Sequence, residues 1–247
     1  MLSEERLKRI QELKNRSFER GIFTFTDFLN ATAVMEVCSL CKKGEVTSFG
    51  GADFCERQMV RFGNPDELGY EESFPLAILE IKLTGGKYAT KVTHRDVLGA
   101  VINLGIERQK LGDIFVNGEF IYLIVDEKVS KLILSDLTSV GRNRVEVKEI
   151  DALPSSLAPT LSEREFSVAS NRVDAVICKV YNLSREECSE LFQRGLVTVL
   201  GKVIDQPSKQ LKEGDIVAVR GYGKFIFVGL GGISKKGKQY VTVQIYT

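Results

Sequence analysis

The sequence predicts an α+β protein of three consecutive modules. Three observations carry that prediction: a βαββαβ order of hydrophobic patterns through the middle, a pair of capped helices followed by five strand patterns at the end, and a proline-bearing connector between them. The chain has 247 residues, more than one ordinary domain. No stretch approaches the ~18 consecutive apolar residues of a membrane-spanning helix. Residues 1–20 are charged where an export signal is apolar, so a cytoplasmic protein with no membrane span is expected.

The first module, residues 1–70, reads as mainly helical. Leu2, Leu7, Ile10 and Leu13 recur at helical spacing, and Thr26-Asp27 is placed to start a second helix bearing Phe28, Leu29, Ala33 and Val37. Past Gly50-Gly51 come Arg57, Met59, Val60 and Phe62. Arg57 and Arg61 stand at i, i+4, which on a helix would set two guanidinium groups side by side toward a phosphate, although such pairs are more often simply solvated.

The second module, residues 71–152, opens with a strand at 77–83 and a helix at 93–104, for which Thr93 and Asp96 are a capping pair. A second strand at 113–116 runs into Asn117-Gly118, which favours φ > 0 at both central turn positions and so predicts a tight hairpin into a strand at 119–125. A helix at 126–138 carries Val129, Leu132, Ile133 and Leu137, and a strand at 144–150 closes the order. This is the ferredoxin-like, RRM-like split βαβ arrangement. Both helices then cover one sheet face, leaving the other to present Phe120 and Tyr122 side by side, as RNA-recognition sheets present stacking rings. Against that, residues 71–150 hold 11 basic and 12 acidic residues, and no RNP1 pattern is present. Arg95, Arg108 and Lys110 are further candidates for a polyanion contact on this module. The triplet His94-Arg95-Asp96 matches the protein-kinase catalytic loop only by coincidence: the asparagine position is Val101, and no Asp-Phe-Gly or Gly-rich loop accompanies it.

Residues 151–160 carry Pro154 and Pro159 among small residues, placing a domain boundary at 151–165 and the third module at 165–247. Charge changes with it: residues 171–247 hold 12 basic and 7 acidic side chains, while residues 1–170 hold 22 and 26. A polyanion site is therefore local to the end of the chain. Val173, Val176, Ile177 and Val180 form the apolar stripe of a short helix ended by Asn182-Leu183; Ser184 and Glu187 form a capping box for a second helix with Cys188, Leu191 and Phe192 inward and Gly195 closing it. Strands follow at 196–200, 202–204, 215–220, 224–228 and 240–246.

This end of the chain resembles the S4 RNA-binding domain through Arg172-Val-Asp174, Ser184-Arg185, Arg194-Gly195-Leu-Val197, Gly201-Lys202-Val203, Pro207-Ser208 and Gly214-Asp215-Ile216. It departs at Leu200, where the family has Asn before the turn glycine. The resemblance implies two helices on a small antiparallel sheet and marks Arg172, Asp174, Ser184, Arg185, Gln193, Arg194, Gly201, Lys202, Lys209, Arg220 and Lys224 as RNA-binding residues. Helix N-termini and arginines on a rigid frame suit such contacts, holding phosphates without a deep pocket. Gly50-Gly51 with Glu56-Arg57, the stretch from His94 to Asp113, and Val219-Arg-Gly-Tyr-Gly-Lys224 make the chain similar to the YlmH family of bacterial S4-domain proteins. Membership implies binding to ribosomal RNA and tRNA on large ribosomal subunits obstructed by peptidyl-tRNA, in ribosome-associated quality control, and a gene neighbourhood of cell division.

A pseudouridine synthase or a division adaptor are the rival classes. Pseudouridine synthases usually place S4 first, whereas here it ends the chain, and Asp174 belongs to the S4 opening. No HIGH-like or KMSKS-like segment supports a tyrosyl-tRNA synthetase. An RNA-binding, non-enzymatic monomer without cofactor is expected. Cys38, Cys41 and Cys55 share one neighbourhood in the sequence, but zinc wants four ligands and the single histidine, His94, lies 39 residues beyond Cys55, so these thiols are expected in packing rather than at a metal. Cys178 and Cys188 fall on apolar helix faces and are read the same way.

Overall fold

The computed structural model describes residues 3–42, 44–86, 90–233 and 237–246; Leu2 of the first helical pattern lies outside them. The chain is a mixed α/β protein with seven α-helices among the described residues and three antiparallel sheets, divided into two compact units, Met1–Ala158 and Pro159–Thr247.

In the first unit, α1 (Glu4–Arg20) starts at Ser3, whose hydroxyl accepts from the Arg6 N–H, and ends at Gly21 in the left-handed region. Thr26-Asp27 does not start the next helix: α2 (Ala31–Ser39) begins after Asn30, whose side chain accepts from the Ala33 N–H. Thr26 is instead buried, donating to the Asp27 carbonyl and accepting from the Val60 N–H. The stretch around Arg57 to Phe62 is not helical either. β1 (Thr24–Phe25), β2 (Val46–Phe49) and β3 (Met59–Phe62) pair antiparallel in the order β1-β3-β2, and every residue of β3 is buried. A run buried on both faces carries no alternation, which is why it escapes a periodicity reading. α3 (Pro65–Leu68) completes this part.

β4 (Leu76–Leu83), α4 (His94–Asn103), β5 (Leu111–Asn117), β6 (Phe120–Asp126), α5 (Glu127–Asp136), β7 (Ser139–Val140) and β8 (Asn143–Ile150) follow, forming a sheet of order β5-β6-β4-β8-β7. The Thr93–Asp96 capping box of α4 is formed in both directions. Asn117 pairs with Phe120, so the hairpin loop is Gly118-Glu119, one residue later than expected, with only Gly118 at positive φ (62°). One sheet face buries Leu79, Ile81, Ile121, Leu123 and Val125 against Val97, Val101 and Ile133 of the two helices. Each such side chain contributes roughly 1.5–3 kcal/mol when fully removed from water.

The second sheet face is not free. Ile78 and Ile124 are buried there against Phe28, Cys55 and Met59 of the preceding segment. Glycine makes this approach feasible: a Cβ on Gly51 would lie 3.1 Å from Ile124, one on Gly112 2.9 Å from the Phe28 ring, and one on Gly50 2.4 Å from the Arg57 carbonyl.

In the second unit, β9 (Leu161–Val168) is a strand where the sequence reads as connector; it pairs residue by residue with β14 (Gln239–Tyr246). Boundaries drawn at 165 therefore cut through it. α6 (Val173–Val180) ends at Tyr181 and Asn182, the latter at φ 53°, and α7 (Arg185–Gln193) carries the Ser184–Glu187 capping box. β10 (Val197–Val199), β11 (Lys202–Val203), β12 (Ile216–Val219), β13 (Gly223–Ile233) and β14 give the sheet order β11-β10-β12-β13-β14-β9. Val176, Ile177, Cys188, Leu191 and Phe192 pack on Val197, Val217, Phe225, Phe227 and Val241, closing a core within this unit alone. Between β10 and β11, Leu200 (φ 50°) and Gly201 (φ 72°) both occupy left-handed conformations, the turn for which Asn-Gly is the favoured pair.

Candidate nucleic-acid interface

The second unit presents most of its candidate residues in three places. At the start of α6, Arg172 grips Asp174 with two hydrogen bonds, Nε–Oδ1 3.1 Å and Nη2–Oδ2 2.7 Å, and these hold the guanidinium above its ordinary pKa. The Lys209 carbonyl accepts from the Val173 N–H at 2.8 Å, so the exposed Lys209 sits beside the same helix start. Arg172 is thus half spent on an internal carboxylate, and Asp174 positions it.

At the start of α7, the Ser184 N–H donates to Glu187 Oε2 (2.7 Å), and Ser184 Oγ accepts from the Glu187 N–H (3.2 Å). This exchange keeps the Glu187 carboxyl below the usual carboxylate range. Arg185 is the first helical residue, exposed, with no side-chain partner among the described residues. It lies where the helix dipole adds to its own charge.

The third place is the hairpin loop between β12 and β13. The Arg220 N–H donates to the Leu196 carbonyl (2.9 Å), bringing the exposed Arg220 close to the Arg194-Gly195 end of α7. Gln193 and Arg194 are exposed there. Lys224, on the strand leaving the loop, stands over the Tyr246 ring at 4.4 Å. Tyr222, at the loop tip, is 46% exposed, and its ring lies 5.7 Å from that of Tyr181, which follows α6. Sequence reasoning noted the Arg-Gly-Tyr-Gly motif without assigning Tyr222 a part; an aromatic between two glycines in a hairpin loop is the signal that finds it, since neither glycine can shield the ring. Gly201 and Lys202 lie at the opposite end of the three-residue β10 from Arg194, so the structure does not bring them to this loop.

A family model described as "Putative RNA-binding domain in YlmH" matches residues 70–153. The Bacillus subtilis (strain 168) "Ribosome-associated protein quality control protein P2" is 32% identical over 225 residues, spanning 89% of this chain and 86% of that protein. The chain belongs to the YlmH family. A solved structure, "Cell division protein ylmH from Streptococcus pneumoniae", is 26% identical with a TM-score of 0.48, covering 61% of this chain and 93% of that one.

Within this YlmH-family chain, the candidates on the first unit fare differently from those on the second. Tyr122 is 6% exposed, its hydroxyl pushed up in pKa by burial and by Glu80, which also pairs with Lys148 at 2.9 Å; it cannot offer a ring for stacking. Phe120 is half-buried with the Lys82 ammonium 5.9 Å from its centroid. Lys110 is held between Asp27 (2.5 Å) and Asp126 (2.9 Å), an internal ion triad. Arg108 Nη1 donates to the Leu111 and Gly112 carbonyls, at 2.8 and 3.3 Å. Arg95 alone of these is exposed, in the first turn of α4.

Arg57 and Arg61 do not make the helical pair of a phosphate clamp. Arg61 is 5% exposed, stacked between the Phe23 ring (4.7 Å) and the Phe74 ring (5.5 Å), and bonded to the Glu72 carbonyl (2.6 Å) and Glu71. Arg57 donates to the carbonyls of Leu111, Phe28 and Arg108. Cys38 and Cys41 pack against the core under α2, while Cys55 belongs to the separate cluster under the sheet, its thiol pushed up to about 12 chiefly by burial. Among the described residues, no group of three or more His, Cys, Asp or Glu side chains is placed to hold a metal, and no helix is long and apolar enough to cross a membrane.

Proposed function

We propose that this chain is a non-enzymatic, cytoplasmic RNA-binding protein that acts as a monomer on the large ribosomal subunit, engaging ribosomal RNA and tRNA during quality control of stalled peptidyl-tRNA complexes. The name of the Bacillus subtilis relative and the description of the family model support the ribosome and RNA partners. The observation that carries the reading is the exposed, unpartnered Arg185 at the capped start of α7, on a unit whose exposed surface also includes Arg220 and Tyr222. Two helices packed on an antiparallel sheet support assigning that unit to the S4 domain. The order β5-β6-β4-β8 supports the ferredoxin-like reading of the sheet before it. A guanidinium beside a helix N-terminus suits a phosphate oxygen and reads no base, so the interface recognises RNA by shape and charge.

Cosedimentation of the full chain with purified large subunits, and binding of structured RNA as a function of salt, test this. Arg185→Ala should lower the salt slope of log K by about one, as for one lost phosphate contact, and weaken all RNA sequences alike. Folding should survive because Cys188, Leu191 and Phe192 are untouched. An unchanged slope and affinity, or a loss confined to one sequence, would remove this helix start from the interface. Association with the subunit that survives ribonuclease treatment would point to a protein adaptor instead.

A further inference from the structure

The first unit brings two arginines together on one backbone carbonyl with donors left over. Arg57 Nε and Arg108 Nη1 each donate to the same acceptor, the Leu111 carbonyl oxygen, at 2.8 Å, so two guanidinium groups lie side by side. Neither has a carboxylate oxygen within 4 Å among the described residues. The nearby Asp113 turns Oδ2 to the backbone N–H groups of Glu56 (2.5 Å) and Arg57 (3.1 Å). Both arginines are half-buried, and the exposed His94, at the start of α4, is near enough to Arg108 for their charges to interact. Arg57 Nη1 and Arg108 Nε and Nη2 make no hydrogen bond within the described residues. Two adjacent like charges, part-removed from water and with donors unspent, disfavour one another unless an anion joins them.

We propose that Arg57 and Arg108, with His94 at the rim, form a phosphate-binding site on the first unit, occupied by a backbone phosphate of bound RNA. This rests on the RNA-binding reading and gives it a second anchor, remote in sequence from Arg185. Charge is compatible with that ligand: burial first, then Arg108, bring Arg57 down to about 10 and push His94 down, with the Asp113 carboxylate opposing both shifts without cancelling them. The segments involved, Gly50 to Arg57 and His94 to Asp113, are tied together where Asp113 Oδ2 accepts from the Glu56 and Arg57 N–H groups and Arg57 donates to the Leu111 and Arg108 carbonyls. That rigidity holds both forks ready before the ligand arrives.

His94 is the sole histidine, so its imidazole signals report this place without assignment. NMR titration of the full chain in chloride, sulfate, inorganic phosphate and a structured RNA, at matched ionic strength, is the test. An anion between the arginines should raise the His94 pKa, because it favours the imidazolium. Sulfate serves as the tetrahedral oxyanion that does not itself titrate near neutrality. In Arg108→Gln the response should disappear. Arg108→Lys, which keeps the charge without the fork, should weaken it several-fold and covers the case in which Arg108→Gln fails to fold. RNA that binds and raises the pKa supports the site as an RNA contact. A response to phosphate and sulfate from a chain that binds no RNA leaves a site for free phosphate and removes the RNA reading. RNA binding with no change at His94 under RNA, phosphate or sulfate overturns the site and leaves the RNA reading standing, and a chain that binds no RNA and is silent at His94 to phosphate and sulfate removes both.

Discussion

Replacing Lys110 by methionine separates a structural ammonium from an RNA contact. Lys110 bridges Asp27 and Asp126, and the Asp126 side chain is only 7% exposed. Removing Nζ leaves Asp126 Oδ2 buried and without its ion-pair partner, while Oδ1 keeps the Lys128 N–H at the start of α5 (3.0 Å). Breaking a fully buried pair costs about 3–5 kcal/mol. Lys110 and Asp27 retain 28% and 36% exposure, so solvent screening reduces the expected loss to about 2 kcal/mol. For a unit of this size that lowers the melting temperature by about 4–8 °C. The sign of the pH dependence follows from Lys110 itself. Burial disfavours its charge, but the hydrogen bonds to Asp27 and Asp126 outweigh that and raise its pKa above the ordinary 10.5. Its contribution is therefore complete below that value and lost as pH rises through the raised folded-state pKa, so wild type and Lys110→Met should converge in stability at strongly alkaline pH. Urea unfolding of both, with Asp126→Asn and the double variant completing the cycle, measures the coupling. A loss under 0.5 kcal/mol, or an intact fold whose RNA salt slope falls by about one, would refute the triad argument and return Lys110 to the interface.

Two other perturbations test the packing. Residues 159–247 expressed alone should fold cooperatively, whereas 165–247, which lacks half of β9, should melt lower and associate with rising concentration because β14 gains an open edge; equal melting of the two would show that β9 is dispensable. Gly50→Ala, whose Cβ would sit 2.4 Å from the Arg57 carbonyl, should cost about 2–3 kcal/mol in urea unfolding, against about 1 kcal/mol for Gly118→Ala, where φ is 62° but nothing lies within 4 Å. The reverse order would mean that the loop over Ile124 yields easily.

The elements that were legible in the sequence are those whose local chemistry agrees with their tertiary environment. Thr93–Asp96 and Ser184–Glu187 announce helix starts because the caps satisfy their own backbone, whatever packs around them. The strand pairs of the middle sheet alternate or run apolar because one or both faces are buried. β3 and β9 fail for opposite reasons. β3 is buried on all four residues and so has no period, and Arg61 inside it argues for surface until Phe23 and Phe74 are seen to sandwich its guanidinium. β9 is mostly exposed, with Glu163, Arg164 and Glu165 in a row, and owes its conformation to pairing with β14, more than 70 residues away in sequence. Neither fact has a local signature.

The same division governs the candidate sites. On α7, local sequence specifies both the helix start and the exposure of Arg185, so the residue's placement could be read before the fold was known. On the first unit, the expectation of a free sheet face rested on the two helices alone, and the segment around Phe28, Cys55 and Met59 covers much of that face. Covering it changes what the cations there do. Lys110 is drawn into an ion triad by Asp27, which the covering segment contributes, and Arg57 of that segment meets Arg108 on a shared carbonyl. A basic side chain ion-paired to a carboxylate has its charge answered internally; one hydrogen-bonded only to carbonyl oxygens beside another arginine has it answered less completely. By that criterion Lys110 belongs to stability, while Arg57 and Arg108, whose hydrogen bonds go to carbonyl oxygens and whose nearby carboxylate, Asp113, turns to backbone N–H groups, are the pair assigned to the proposed phosphate.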